Sequence, residues 1–558
     1  MSLETEYREP SRCLTGEGCH APLSNSQAAA QDLGGVGGGD RTGKADRVSR
    51  ENSSREIVTD RVAQGGKPTE AAGRAGVVGV PRSSEDLPES KTGGERRRGT
   101  WDNACGPSEG WDDGRPAAET LFDRITTPPK IQKLQRTLYR KAKAEPGYRF
   151  YSLYGELLRR DLLETAMSAV ASHDGAAGVD GQECTAYTGS DEAWTQWRDQ
   201  LLEELRRKTY RASPVRRVRI PKGDGKTRPL GIPTVKDRVV QMAVALVLLP
   251  VWEADSHPHS YAYRPKRNAQ QAMDAISRAL RSGFTEVIDA DLSGYFDSIP
   301  HRELLRLVAR RVSDGRILAL IKAWLRAPIV ERNPATGRPT TTGNRCGTPQ
   351  GGVISPLLAN LYLNRLDWQV NERCELRPVM VRYADDFVIL SRPGQGTKLQ
   401  ARLQQWLKTH GLTLNEAKTR TLDVRKEGFK FLGYGVSWRR GISGRHYPHM
   451  EPHPKSQMKL RDKLREKLNH WTLWRPVAEV ISEVNRLLKG WGGYFHYANS
   501  TRVFARLNQY VTHRVQRWLW RKGGCDKALW ATNPLEVLRD RYGLYRLPSR
   551  AAWMQARA

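Results

Sequence analysis

Apolar and polar residues alternate along this chain in stretches that predict definite elements. Val381-Arg-Tyr-Ala-Asp-Asp-Phe-Val-Ile-Leu390 sets β-branched and aromatic residues on both sides of two acids, which predicts a β-hairpin with the acids at its tip. Val287-Ile-Asp-Ala-Asp-Leu-Ser-Gly-Tyr-Phe-Asp-Ser-Ile-Pro-His301 alternates like a strand and then runs into a turn. A second hairpin is predicted where β-compatible residues flank the turn Gly223-Asp-Gly-Lys226. Helices are expected over 119–213, where residues 193–207 carry apolar positions near helical spacing and a basic end. Residues 239–252 are almost wholly apolar and contain Gln241 and Pro250, which reads as a buried helix too short to span a bilayer.

Toward the C-terminus the pattern splits a helix into two faces. Over residues 501–520, Arg502, Arg506, His513 and Arg517 fall within about 60° of one another at 100° per residue. Val503, Leu507, Val511 and Trp518 fall on another face. Trp471, Trp474 and Trp491 are expected in the core rather than as base-stacking platforms. Pro448, Pro452 and Pro454 are expected to mark a linker before the helical region. Residues 1–118 have no sustained apolar period; Gly, Ser, Arg, Asp and Glu dominate, as in Gly34-Gly-Val-Gly-Gly-Gly-Asp40. Such a segment cannot bury enough surface to offset its ordering entropy, so disorder is expected.

Charge changes the picture most. The 558 residues carry a formal net charge of +30 and a pI near 10.0, which points to a polyanionic partner bound through phosphate contacts. A membrane-surface protein would also be basic, but no amphipathic anchor, span or signal-peptide core is legible, so a cytoplasmic, nucleoid-associated protein is expected. Seven cysteines without a framework fit reduced thiols, and Cys13, Cys19 and His20 lack a fourth metal ligand.

The candidate chemistry is acidic. Adjacent carboxylates repel each other unless a divalent cation sits between them and a third acid. Asp385 and Asp386 supply the pair, and Asp291 is the third, with Asp289 and Asp297 as competitors. A solvated turn is the plain alternative for an isolated Asp-Asp pair.

Asp291, with Phe296 five residues on, resembles motif A of the right-hand polymerases, and Tyr383-Ala-Asp-Asp386 resembles their motif C. The resemblance implies Asp291, Asp385 and Asp386 as catalytic metal ligands for two Mg²⁺ ions, with Mn²⁺ as a substitute. It adds the Leu292 carbonyl as a backbone ligand, and Phe296 as the bulk that crowds the sugar 2′ position. The spacing to that aromatic favours Asp291, and Asp297 then reads as structural. Three more segments fall in the same order. Residues 219–241 resemble the fingers hairpin, implying Lys222 and Arg228 as triphosphate contacts. Gly347-Thr-Pro-Gln-Gly-Gly352 resembles the Pro-Gln-Gly motif, implying close backbone approach to a ligand and an amide from Gln350 near the nucleotide. Residues 412–420 and 429–434 resemble the last palm motif and the primer grip, implying Lys418 as a proton donor to pyrophosphate.

Outside the palm, Phe150-Tyr-Ser-Leu-Tyr154, Gly178-Val-Asp-Gly181, Ser260-Tyr-Ala-Tyr-Arg-Pro-Lys-Arg267 and Leu487-Leu-Lys-Gly-Trp-Gly-Gly-Tyr-Phe495 resemble the group II intron reverse transcriptase–maturases. The fold implied is α+β: a right-hand polymerase with fingers and an antiparallel palm sheet, an α-helical thumb, and a disordered N-terminal extension. The implied boundaries are 1–118 for the extension, 119–213 for an RNA-binding helical segment, 214–436 for fingers and palm, 437–535 for the thumb or maturase domain and 536–558 for a tail. Many relatives end in a Cys- and His-containing endonuclease module. The tail here holds only Cys525, so no DNA endonuclease is expected. The implied partners are group II intron RNA, an RNA template with a DNA primer, target DNA and dNTPs, with no membrane. Arg502, Arg506 and Arg517 are the implied RNA contacts. A splicing-only RNA-binding protein and a domesticated reverse transcriptase in repair or phage defence are rival readings of the same motifs.

Overall fold

The computed structural model describes residues 127–173, 175–221, 227–333, 336–523 and 534–550. The expected disordered segment, Lys222, Cys13, Cys19, His20 and Cys525 lie outside them. The helical prediction for the first described stretch is met by Pro129–Ala144, Arg160–Ala171 and Asp191–Arg207. Pro129 starts the first, where its missing N–H costs nothing, and Ser190 caps the third by accepting from the Ala193 N–H. The first two pack against Val235–Asp255, the apolar helix foreseen from residues 239–252. Its residues are buried on nearly every side, as an all-round apolar pattern requires, and Thr234 caps its start.

Strands β1 (Val215–Pro221) and β2 (Thr227–Ile232) form the predicted fingers hairpin. Strand β3 (Glu286–Ala290) follows, then the hairpin of β4 (Ile329–Arg332) and β5 (Pro339–Thr342), which joins β1 in parallel. Strands β6 (Val379–Tyr383) and β7 (Asp386–Ser391) form the acid-bearing hairpin, and β8 (Arg420–Asp423) closes a palm sheet of order β6-β7-β3-β8. A third sheet, ordered β11-β10-β9, is built from β9 (Phe429–Phe431), β10 (Tyr434–Arg440) and β11 (His446–Pro452).

The palm sheet has a core on each face, because side chains alternate along a strand. Ile288, Ala290, Met380, Phe387 and Ile389 join the core shared with the N-terminal helices and Val235–Asp255. Val287, Val381, Val388 and Leu390 join the core shared with the third sheet and the C-terminal helices Pro454–Lys467, Val477–Phe495 and Thr501–Gly523.

Two expectations are corrected. Pro448 and Pro452 do not form a linker: they lie in β11, opposite Trp438 and Tyr434 of β10. A proline breaks a ladder only where its missing N–H was needed, and β11 is an edge strand. Only Pro454 sits at a boundary, opening the helix Pro454–Lys467. Trp471 and Trp474 are not core residues but are 74% and 81% exposed, on the loop that joins two C-terminal helices. Trp491 packs against Phe495 and Phe504 and is partly buried.

Glycines seat the loop at 347–352. A Cβ on Gly347 would stand 2.6 Å from the Phe296 carbonyl oxygen and 2.7 Å from the Asp297 Cα; one on Gly351 would stand 2.4 Å from the Gly231 carbonyl oxygen. Both residues have positive φ, +82° and +117°. The close approach expected at this motif is therefore to the protein's own backbone, which locks the loop between fingers and palm. Gly347→Ala should destabilise the fold by about 3 kcal/mol, combining backbone strain with overpacking. Gly337→Ala has a similar φ of +67° but open space around it, and should cost about 1 kcal/mol. Thermal unfolding of the two variants checks this; equal destabilisation would show that the tight packing at Gly347 contributes nothing.

Candidate active site

Alternation places the acids. On β3, Asp289 shares the face of Val287, and Asp291, one residue past the strand end, continues that parity. On β7, Asp386 shares the face of Val388 and Leu390. The register sets Ala290 opposite Phe387, so the next pair along is Asp291 and Asp386. Asp385 lies in the two-residue turn between Tyr383 and Asp386, which pair across the hairpin. The acids therefore meet at one end of the sheet, with Asp386 opening β7 rather than standing at the very tip.

The turn is strained and braced. Ala384 has φ +62°, a conformation that costs an L-residue with a Cβ roughly 1–2 kcal/mol. The fully buried Arg382 holds it, donating through Nη1 to the Ala384 carbonyl at 2.9 Å and to Asn360 Oδ1 at 2.9 Å. Its Nε and Nη2 bind both oxygens of buried Asp367 at 2.7 and 2.5 Å, and Nη2 also reaches Ser260 Oγ at 2.7 Å. Sequence reasoning passed over Arg382 and Asp367. The available signal was a charge inside a strand whose neighbours on both sides are apolar.

The acids differ in their electrostatic surroundings. The Asp386 carboxyl is solvent-accessible on one side but desolvated by the surrounding protein, and it is also repelled by Asp385, Asp291 and Asp289. Together these push it up to about 6. Burial also raises Asp289, which Arg420 partly offsets at 3.4 Å. Arg420 faces Asp289 as Lys418 faces Asp291, so ion pairing alone does not separate the two acids. Asp291 accepts from Asn415 Nδ2 at 2.9 Å and from Lys418 Nζ at 3.1 Å. Lys418, expected near the leaving phosphate, stands on a carboxylate in this conformation. Leu292 is buried and bridges to Leu414. Asp297 lies on the short helix Tyr295–Ser298, outside the palm ladder; its residue is solvent-accessible, but the surrounding protein desolvates the carboxyl and raises it, against the pull of Arg217 and Arg228.

On the nucleotide side the structure joins two predicted residues: Arg228 Nε donates to Gln350 Oε1 at 2.7 Å. Phe296 is buried, edge-on to Tyr295 at 5.7 Å between ring centroids. Burial raises the hydroxyl of Tyr263, which sequence reasoning did not single out; Asp385 adds to that push and Arg228 opposes it. In the C-terminal region, Arg502, Arg506, His513 and Arg517 are exposed along Thr501–Gly523, while Val503, Leu507, Val511 and Trp518 are buried.

Among the described residues no three His, Cys, Asp or Glu side chains are placed to hold a metal ion as they stand. The donor set still fits hard divalent cations. It consists of oxygen ligands only, repelling one another, with a lysine ammonium already drawn onto one of them. No helix among these residues is long and apolar enough to cross a membrane.

Residues 220–436 match the reverse transcriptase (RNA-dependent DNA polymerase) family, and residues 457–530 match the group II intron maturase-specific domain. The chain is 34% identical to Protein YkfC of Escherichia coli over 359 residues, covering 56% of this chain and 90% of that protein. It is 35% identical to the group II intron-encoded protein LtrA of Lactococcus lactis over 219 residues, 39% of this chain and 35% of that protein. A 91 kDa protein in the cob intron of Schizosaccharomyces pombe is 25% identical over 380 residues, 55% of this chain and 46% of that protein.

The raised Asp386 carboxyl has a consequence for stability. Its neutral form is the one the fold prefers, so its contribution is full below the ordinary value of 3.8 and is lost as pH rises through about 6. In EDTA, the Tm of the wild type should therefore fall relative to Asp386→Asn between about pH 4 and pH 6 and run level with it above that window. Parallel curves for the two proteins across that window would contradict the raised carboxyl that desolvation and the neighbouring acids produce.

Proposed function

Because the chain belongs to the group II intron reverse transcriptase–maturase family and is an RNA-directed DNA polymerase, we propose that Asp291, Asp385 and Asp386 form its catalytic centre and that it copies its own intron RNA into DNA for intron mobility. The observation that carries this reading is the convergence of Asp291 and Asp386 at one end of the palm sheet, with the Asp386 carboxyl pushed up to about 6. The three acids would hold two Mg²⁺ ions, for which Mn²⁺ can substitute, with the Leu292 carbonyl as a further ligand. When bound, those ions supply the charge that activates a primer 3′-hydroxyl and steadies the pyrophosphate.

The chain's own residues do the rest. Arg228, oriented by Gln350, grips the triphosphate with a planar fork, and Lys222 adds a point charge. Phe296, held by its packing, walls off the sugar 2′ position. Lys418 exchanges Asp291 for the leaving pyrophosphate and donates a proton from Nζ. Arg502, Arg506 and Arg517 meet the phosphates of the intron RNA, so that the protein stabilises the folded ribozyme and assists splicing. RNA template with DNA primer, target DNA and dNTPs complete the set of partners.

Replacing Asp385 and Asp386 together with Ala should reduce primer extension on an RNA template on the order of 1,000-fold or more, the scale on which losing a charge-stabilising group acts. Intron binding should persist; extension at wild-type rate would sink the assignment. Changing Arg502, Arg506 and Arg517 to Gln should weaken intron RNA binding and flatten its salt dependence by roughly 0.7–0.9 in log–log slope for each phosphate no longer neutralised. Affinity measured across a salt series decides it, and an unchanged slope would move the RNA surface elsewhere.

A further inference from the structure

Trp471 and Trp474 are among the most exposed large apolar residues described, at 74% and 81%, and Trp520 on the neighbouring helix is 51% exposed. A chain normally buries tryptophan, and clustered exposure marks a surface that meets something. The loop that carries the pair is not loose. Trp518 Nε1 donates to Thr472 Oγ1 at 3.0 Å, and Lys522 Nζ donates to the carbonyls of Leu473 and Arg475 at 2.5 and 2.8 Å. Arg514 holds the Leu468 carbonyl at 3.1 Å, and Glu483 clasps Lys467 and Arg475 at 2.8 and 2.7 Å. These bonds fix the backbone of residues 468–475 while two indole rings stay outside the fold.

The surroundings select the occupant. The helix leading into the loop, Pro454–Lys467, carries six Lys or Arg against two acids, and Thr501–Gly523 carries six and no acid. Arg517 and Arg521 flank Trp520 on the exposed side. Flat aromatic faces set in a cationic field suit a polyanion that itself carries flat rings. We propose that Trp471 and Trp474 form a stacking platform for unpaired nucleobases of single-stranded RNA or DNA, with the neighbouring cations tracking the phosphates. The loop's pinning lowers the ordering cost of binding. This rests on the reading of the C-terminal helices as a nucleic-acid surface and adds to it a contact that senses bases rather than phosphates.

The test uses the full chain and fluorescein-labelled probes of about 12 nucleotides: oligouridylate, oligothymidylate and an abasic chain. Trp471→Leu combined with Trp474→Leu should weaken binding of base-bearing probes about tenfold or more. Binding of the abasic chain and the salt slope should stay unchanged, and the double Phe variant should keep most of the affinity. The two base-bearing probes distinguish an RNA from a DNA source. Because both rings are exposed, the Leu variant should unfold at the wild-type Tm. As a second readout, a probe carrying 5-iodouracil should photocrosslink to Trp471 or Trp474. Equal affinity of wild type and Leu variant for every probe overturns the proposal, as does crosslinking confined to other residues. So does a concentration-dependent dimer abolished by the substitutions, which would assign the patch to a second copy. If the Arg502, Arg506 and Arg517 variant binds RNA normally while the Trp variant loses base dependence, the maturase reading fails and the platform stands.

Discussion

Arg382 is the point on which the palm is assembled. Its guanidinium has five N–H donors, and the structure uses five bonds: two to Asp367, and one each to Asn360, Ser260 and the Ala384 carbonyl. Both charged partners are only 1% exposed. A buried pair of this kind repays its desolvation only when every donor is matched, and removing one partner typically costs about 3–5 kcal/mol. Three pieces of chain meet there: the helix Ser355–Asn371, the segment around Ser260, and the turn between β6 and β7. The backbone reinforces the junction, with Arg382 N–H donating to the His259 carbonyl and Tyr261 N–H to the Arg382 carbonyl. The strained turn at Ala384, and with it the position of Asp385, depends on this one side chain.

That dependence explains how a fold can keep like charges together. The apolar faces of β3 and β7 fix the register, the register brings Asp291 level with Asp386, and the clamp on Ala384 prevents the turn from relaxing away. Desolvation, together with that repulsion, raises the Asp386 carboxyl, and an ammonium is seated on Asp291. Pre-organisation is therefore achieved by rigid neighbours rather than by attraction among the acids, which is the arrangement electrostatic catalysis needs.

Much of this was legible in the sequence because it is local. The two hairpins, the buried helix and the two faces of Thr501–Gly523 follow from periods of 2 and 3.6, and the acids stand out by their order along the chain. What was not legible is long-range. Arg382 and Asp367 lie only 15 positions apart, but neither the distance nor the burial that makes them partners is a local signal. Pro448 and Pro452 read as a linker because edge status is a property of a sheet, not of a proline. Trp471 and Trp474 read as core because composition carries no information about which way a pinned loop turns its rings. The glycines of the 347–352 loop were recognised as a device for close approach, but their partner proved to be the chain itself.

The most direct measurement of the account is an anomalous-difference map from crystals of the protein grown with Mn²⁺, an RNA template, a DNA primer and a non-hydrolysable dNTP. Two Mn²⁺ peaks bounded by Asp291, Asp385 and Asp386 are expected, with the Lys418 ammonium withdrawn from Asp291 to the phosphates. Peaks held by Asp289 or Asp297 instead, or no peak at the end of the palm sheet, would contradict it.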